Sequence, residues 1–98
     1  MLWLYLDDER GLPSNRDILI PDYRSMINMI NLCIDNGIDF AIDFDHDIGD
    51  DYLSGYTIAK HIVENEIPMK EFAIHSANPV GSFNIRQLLT HYGYKEVR

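Results

Sequence analysis

Ninety-eight residues, 46% hydrophobic and 24% charged, suffice for one packed core and are too few for two, so a single domain over residues 1–98 is expected. Eight Lys and Arg against sixteen Asp and Glu give a net charge of -8, which excludes a broad DNA or RNA surface, because such binding needs excess positive charge to displace counterions. No apolar run approaches the ~20 residues of a membrane span, acids at Asp7 and Asp8 interrupt the opening stretch where a secretory signal would continue, and a lone Cys33 builds no disulfide framework; a cytoplasmic protein is expected.

Leu2 to Leu6 is a short apolar run that ends abruptly in Asp7, Asp8, Glu9 and Arg10, the pattern of a buried strand whose C-terminal end emerges into solvent. Beyond a Gly11 to Asn15 turn cluster, Ile18 to Ile20 form a second short strand, which Pro21 places at an edge. From Asp22 the apolar positions Met26, Ile27, Ile30, Cys33 and Ile34 recur at helical spacing, and Gly37 supplies the left-handed residue at the helix end. Ile38 to Phe44 alternates, with Ile38, Phe40, Ile42 and Phe44 on one side and Asp39, Ala41 and Asp43 on the other, before breaking into Asp45, His46 and Asp47. Ser54 caps a helix with Ile58, Ala59, Ile62 and Val63 inward. Phe72 to Ile74 is a strand that exits into His75, Ser76, Ala77, Asn78 and Pro79. A last helix beginning near Ser82 buries Phe83, Ile85, Leu88, Leu89 and Tyr92 and stops at Gly93, leaving Tyr94 to Val97 as a possible closing strand.

Strands and helices alternating at this pitch imply a parallel α/β sheet with helices covering its faces, since parallel neighbours need crossovers. The C-terminal ends of parallel strands share one edge, where open α/β sheets bind ligands. Asp7 and Asp8, then Asp45 to Asp47, then His75 to Asn78 therefore gather in one crevice. Carboxylates so gathered repel and raise one another's pKa unless a cation is present, which points to a hard divalent ion, Mg2+ or Mn2+. On the same ground, Asp8→Asn is expected to stabilise the metal-free fold.

Six acids fall within residues 39–51, a density that a solvated rim would also give, but Asp7 and Asp8 come from a separate strand end. The spacing of Asp43, Asp45 and Asp47 mimics the start of a calcium-binding helix-loop-helix loop, yet Ile48 stands where that loop requires glycine and Ser54 where it requires glutamate. His46 and His75 are placed to give or accept a proton near neutral pH, whereas His61 and His91 lie on helices as surface residues. Ser76 and Asn78 offer donors before the last helix, whose N-terminus could also receive a phosphate oxygen. Routine turn and cap duties account for the same pair.

The strings Leu6 to Arg10, Asp45 to Gly49, Ser54 to Tyr56 and His75 to Gly81 resemble the cyclic-phosphate processing receiver-like family over nearly the whole chain. The resemblance implies a reduced response-regulator receiver, a small flavodoxin-like, mostly parallel sheet of four or five strands with about three helices, found largely in bacteria and phages. It places the receiver acidic pair on Asp7 and Asp8, the phosphoacceptor on Asp45 and the switch hydroxyl on Ser76. Departures weaken phosphorelay signalling: residues 9–17 leave little room for a first receiver helix, Lys95 is followed by no proline, and Asp43 replaces a small or hydroxylated residue.

The expected function is metal-assisted hydrolysis of a cyclic phosphate, on a small molecule or an RNA end. Asp7, Asp8 and Asp45 would hold the ion, His46 and His75 would exchange protons with Asp47 orienting His46, and Ser76 and Asn78 would hold phosphate. Two alternatives stand beside it: a phosphoacceptor receiver modified on Asp45, and a non-catalytic acidic protein, such as a phage product, that blocks or sequesters a host factor.

Overall fold

A computed structural model describes residues 1–45 and 54–97. His46 and Asp47 lie outside the described residues. The elements run β1 (Leu2–Leu6), β2 (Ile18–Ile20), α1 (Tyr23–Asp35), β3 (Phe40–Phe44), α2 (Gly55–Glu64), β4 (Phe72–Ile74) and α3 (Pro79–His91). The strands form one all-parallel sheet in the order β2-β1-β3-β4. This is the small receiver-like α/β fold the sequence implied. Where a fifth strand was possible, Glu96 makes an isolated parallel bridge to Phe72; the Phe72 N–H donates to the Lys95 carbonyl at 2.9 Å and the Val97 N–H to the Phe72 carbonyl at 2.8 Å.

β2 sits at the sheet edge, where Pro21 costs no ladder bond. Residues 7–17 join β1 to its parallel neighbour without a helix. The other connections carry helices, and all three helices feed one core: Met26, Ile30 and Cys33 from α1, Ile58, Ala59 and Ile62 from α2, Ile85 and Leu89 from α3. Their strand partners in that core are Leu4, Leu6, Phe40, Ile42, Phe44 and Phe72, the residues of one side of the pleat. From β2 onward each crossover steps toward β4, so right-handed connections place every helix on the same face. Helices were expected on both faces; among the described residues no helix covers the other face, which carries Trp3, Tyr5, Asp7, Ala41, Asp43, Asp45, Ala73 and His75.

Three local expectations change. α3 begins at Pro79 and not near Ser82: Asn78 is its N-cap, accepting from the Gly81 N–H at 2.9 Å, and proline is well suited to the first helical position. With that start, Ser82, Ile85 and Leu89 face inward, so Phe83 and Tyr92, expected in the core, are 56% and 59% exposed. Ser54 occupies the N-cap of α2 but makes no side-chain capping bond. In α1 the Asp22 cap is as expected, its carboxylate accepting from the Ser25 N–H at 2.8 Å, and Gly37 has φ of 66°. Ile34 is exposed, outside the stripe of Met26, Ile30 and Cys33.

Candidate functional site

The ladder that builds the sheet also brings the strand ends together. Tyr5 is in register with Asp43, and Asp43 with Ala73. Beyond the strands the pairing continues: the Asp7 N–H donates to the Ile20 carbonyl at 3.1 Å, and the His75 N–H to the Phe44 carbonyl at 3.0 Å. Because side chains alternate across a strand, Asp7, Asp43, Asp45 and His75 all project from the helix-free face.

His75 is held at both ring nitrogens by carboxylates. Nδ1 lies 2.7 Å from Asp43 Oδ1, and Nε2 lies 2.9 Å from Asp7 Oδ2. Its ring stacks on Tyr5, with centroids 4.3 Å apart and planes 12° from parallel. A neutral imidazole donates from one nitrogen only, so two carboxylate partners favour the imidazolium. Asp7 Oδ1 accepts from the Glu9 and Arg10 N–H groups, each at 2.8 Å, while Oδ2 also accepts from Arg10 Nη1 at 3.1 Å. Asp43 Oδ2 accepts from Arg16 Nε at 2.8 Å, and the Arg16 guanidinium lies 4.1 Å over the Trp3 ring.

These contacts set the protonation states. Burial alone would lower the His75 pKa, but the hydrogen bond and charge of Asp43, followed by Asp7 and Asp45, outweigh it and raise the pKa above 6.5. Burial would raise Asp7, and the backbone N–H groups of Arg10 and Glu9, with the His75 and Arg10 side chains, hold it below 3.8. Burial would likewise raise Asp43, and His75 and Arg16 bring it below 3.8. The raised pKa expected of gathered carboxylates without a cation is therefore not found at Asp7, nor at Asp43, which joins them. The cations that prevent it come from the protein itself: His75, Arg10 and Arg16.

Of the sequence-predicted metal ligands, Asp7 and Asp45 are buried and brought together, whereas Asp8 is exposed. Among the described residues, Asp7, Asp45 and His75 each offer one ligand atom, all within 4.8 Å of one another. Two carboxylates beside one imidazole are a donor set that could hold a hard divalent ion. His75 enters this group in place of Asp8. Ser76 and Asn78 are at the site's margin, occupied locally: Ser76 Oγ accepts from the Asn78 N–H at 3.1 Å, and Asn78 caps α3. His46 and Asp47 fall outside the described residues. His61, as expected, is on a helix, bonded to Asn65, and His91 is exposed.

Asp43, Arg10, Arg16 and Tyr5 were not assigned to the site from sequence. Asp43 carried a usable signal, an acid inside a strand between Ile42 and Phe44. The arginines carried none, since each lies in a turn region whose path only the fold defines.

No helix among the described residues is long and apolar enough to cross a membrane. No curated protein and no solved structure matches the chain. The family described as the cyclic-phosphate processing receiver domain matches residues 2–91, from the first strand through the last helix, and the chain belongs to that family.

Proposed function

We propose that the protein is a metal-assisted phosphoesterase that opens a cyclic phosphate on a nucleotide, an RNA end or a related small molecule. The observation that supports it is the meeting of Asp7, Asp45 and His75, from three strand ends, with ligand atoms within 4.8 Å. A divalent ion, when bound, polarises phosphoryl oxygens and lowers the pKa of water. Asp7 and Asp45 would hold it, with Asp8 in reserve at the exposed rim.

His75 is the proton donor in this reading. Its Nδ1–H stays on Asp43, which positions the ring, and the Nε2 proton is the transferable one, delivered to a leaving oxygen that takes the place of Asp7 Oδ2. A ring protonated at rest cannot begin as the base, so that role goes to His46, with Asp47 orienting it. General acid-base help of this kind is worth about a hundredfold to ten-thousandfold.

Phosphorus NMR with 2′,3′-cyclic and 3′,5′-cyclic nucleotides and a cyclic-phosphate-ended oligonucleotide, with Mg2+ or Mn2+, tests the reading. Ring opening of at least one substrate is expected, slowed about a hundredfold or more in His75→Gln. Absence of reaction across the panel with both ions, or full turnover in both His75→Gln and His46→Gln, would count against it.

A further inference from the structure

Around β4, a cleft of about 510 Å³ opens beside His75, lined from both faces of the sheet. Arg16 and Arg86 both line it, with Ala73 and Val97 between their elements. In a chain with eight Lys and Arg against sixteen acids, two arginines facing one cleft next to the candidate site form a local concentration of donors.

Each arginine is anchored by one edge and open at the other. Arg86 grips Glu96 bidentately, Nε to Oε1 at 2.7 Å and Nη2 to Oε2 at 2.9 Å, which leaves Nη1 without a protein acceptor among the described residues. Arg16 uses Nε on Asp43 and Nη1 on the Asn15 carbonyl at 3.1 Å, which leaves Nη2. The Trp3 ring fixes the plane of Arg16 from one side. Asp43 and Glu96 offset the charges of the two arginines, so recognition here is by directed N–H groups and not by net charge. Planar guanidinium edges held in advance suit an oxyanion with several acceptor oxygens, since little side-chain freedom remains to be lost on binding.

We propose that Arg16 and Arg86 form a binding site for a phosphate group, the one carried by the substrate or left on the product. This deepens the phosphoesterase reading and rests on it for the identity of the anion. It also moves phosphate binding away from Ser76 and Asn78, where Ser76 Oγ accepts from the Asn78 N–H in the turn and Asn78 Oδ1 from the Gly81 N–H in the helix cap.

The test uses the full chain with EDTA and inorganic phosphate, against chloride at matched ionic strength, and follows arginine side-chain and backbone NMR signals. Saturable shifts at Arg16, Arg86, Ala73 and Val97 are expected. Arg86→Gln should weaken binding about tenfold or more, the usual scale for a charge-assisted hydrogen bond. Because that change strands Glu96 and can loosen the bridge to β4, the Arg86→Gln, Glu96→Gln double variant is measured beside it. No saturable shift, shifts confined to Asn78 to Gly81, or wild-type affinity in the folded double variant would overturn the proposal. Phosphate binding without any turnover keeps this site and removes the enzyme reading; turnover without phosphate binding in the cleft does the reverse.

Discussion

His75 Nδ1 and Asp43 Oδ1 lie 2.7 Å apart across neighbouring strands β3 and β4. With Asp7 on the opposite ring nitrogen, this contact turns a crevice of acids into a charge-matched network in which the histidine itself serves as the cation. The helix-free face makes it possible, because a helix packed there would require apolar side chains at Asp43 and His75.

Asp43→Asn removes the stronger determinant of the imidazolium and leaves Arg16 without its carboxylate. The His75 pKa should fall, and stability should drop by about 1–3 kcal/mol, the cost of an unsatisfied buried partner. NMR titration of the ring and chemical denaturation check the two effects. An unchanged titration curve would show that Asp43 does not govern His75.

Stability should depend on pH from both sides. His75 binds its proton more tightly folded than unfolded, so its contribution is fully present below about pH 6.5 and is lost as pH rises through its raised folded pKa. Asp7 and Asp43 have lowered folded pKa values, so theirs is present above about pH 3.8 and is lost as pH falls through those values. Melting temperature across pH should therefore peak between these limits, and the decline above pH 6.5 should be reduced in His75→Gln. A decline of equal size in the variant contradicts the assignment.

The same network makes metal and proton compete. A divalent ion at Asp7 and Asp45 draws Asp7 Oδ2 away from the His75 Nε2–H and lowers the His75 pKa without stripping the proton outright, so affinity should rise with pH and binding should release protons near that titration. Calorimetry in buffers of different ionisation enthalpy measures that release. Affinity independent of pH on both sides of the His75 titration would show that His75 stands apart from the ion.

Much of this was legible in the chain. The strands at Leu2–Leu6, Ile18–Ile20 and Phe72–Ile74 follow from apolar runs bounded by turn residues and acids, and the meeting of their ends follows from parallel pairing. Periodicity does not say which face a helix covers, so the bare face was missed. Nor does it phase a helix whose start is misplaced, as Phe83 and Tyr92 demonstrate. In the site, Asp7, Asp45 and His75 were readable as strand exits, whereas Asp8 shares an exit with Asp7 but lies past the end of β1 and on the other side of the pleat, where it is exposed. Arg16 was beyond reach, because its partners Asp43 and Trp3 are set by the path of residues 7–17 and by cross-strand register.

Asp8 and Asp45 separate two versions of the ion site. If the ion depends on the buried group, saturating Mn2+ should raise the melting temperature in Asp8→Asn nearly as in the wild type and fail to do so in Asp45→Asn. The stabilisation of the metal-free fold first expected from Asp8→Asn should be small, since the charges it would have relieved are already matched at Asp7. Loss of the metal-dependent shift in Asp8→Asn would restore Asp8 as a ligand.

The most direct measurement is the anomalous scattering of a crystal of the protein equilibrated with Mn2+. One ion in contact with the carboxylates of Asp7 and Asp45, with His75 displaced from Asp7 and still on Asp43, is the expected result. A crystal whose Asp7 to His75 contact persists at 2.9 Å under saturating Mn2+, with no peak between Asp7 and Asp45, would contradict a metal centre at the strand ends.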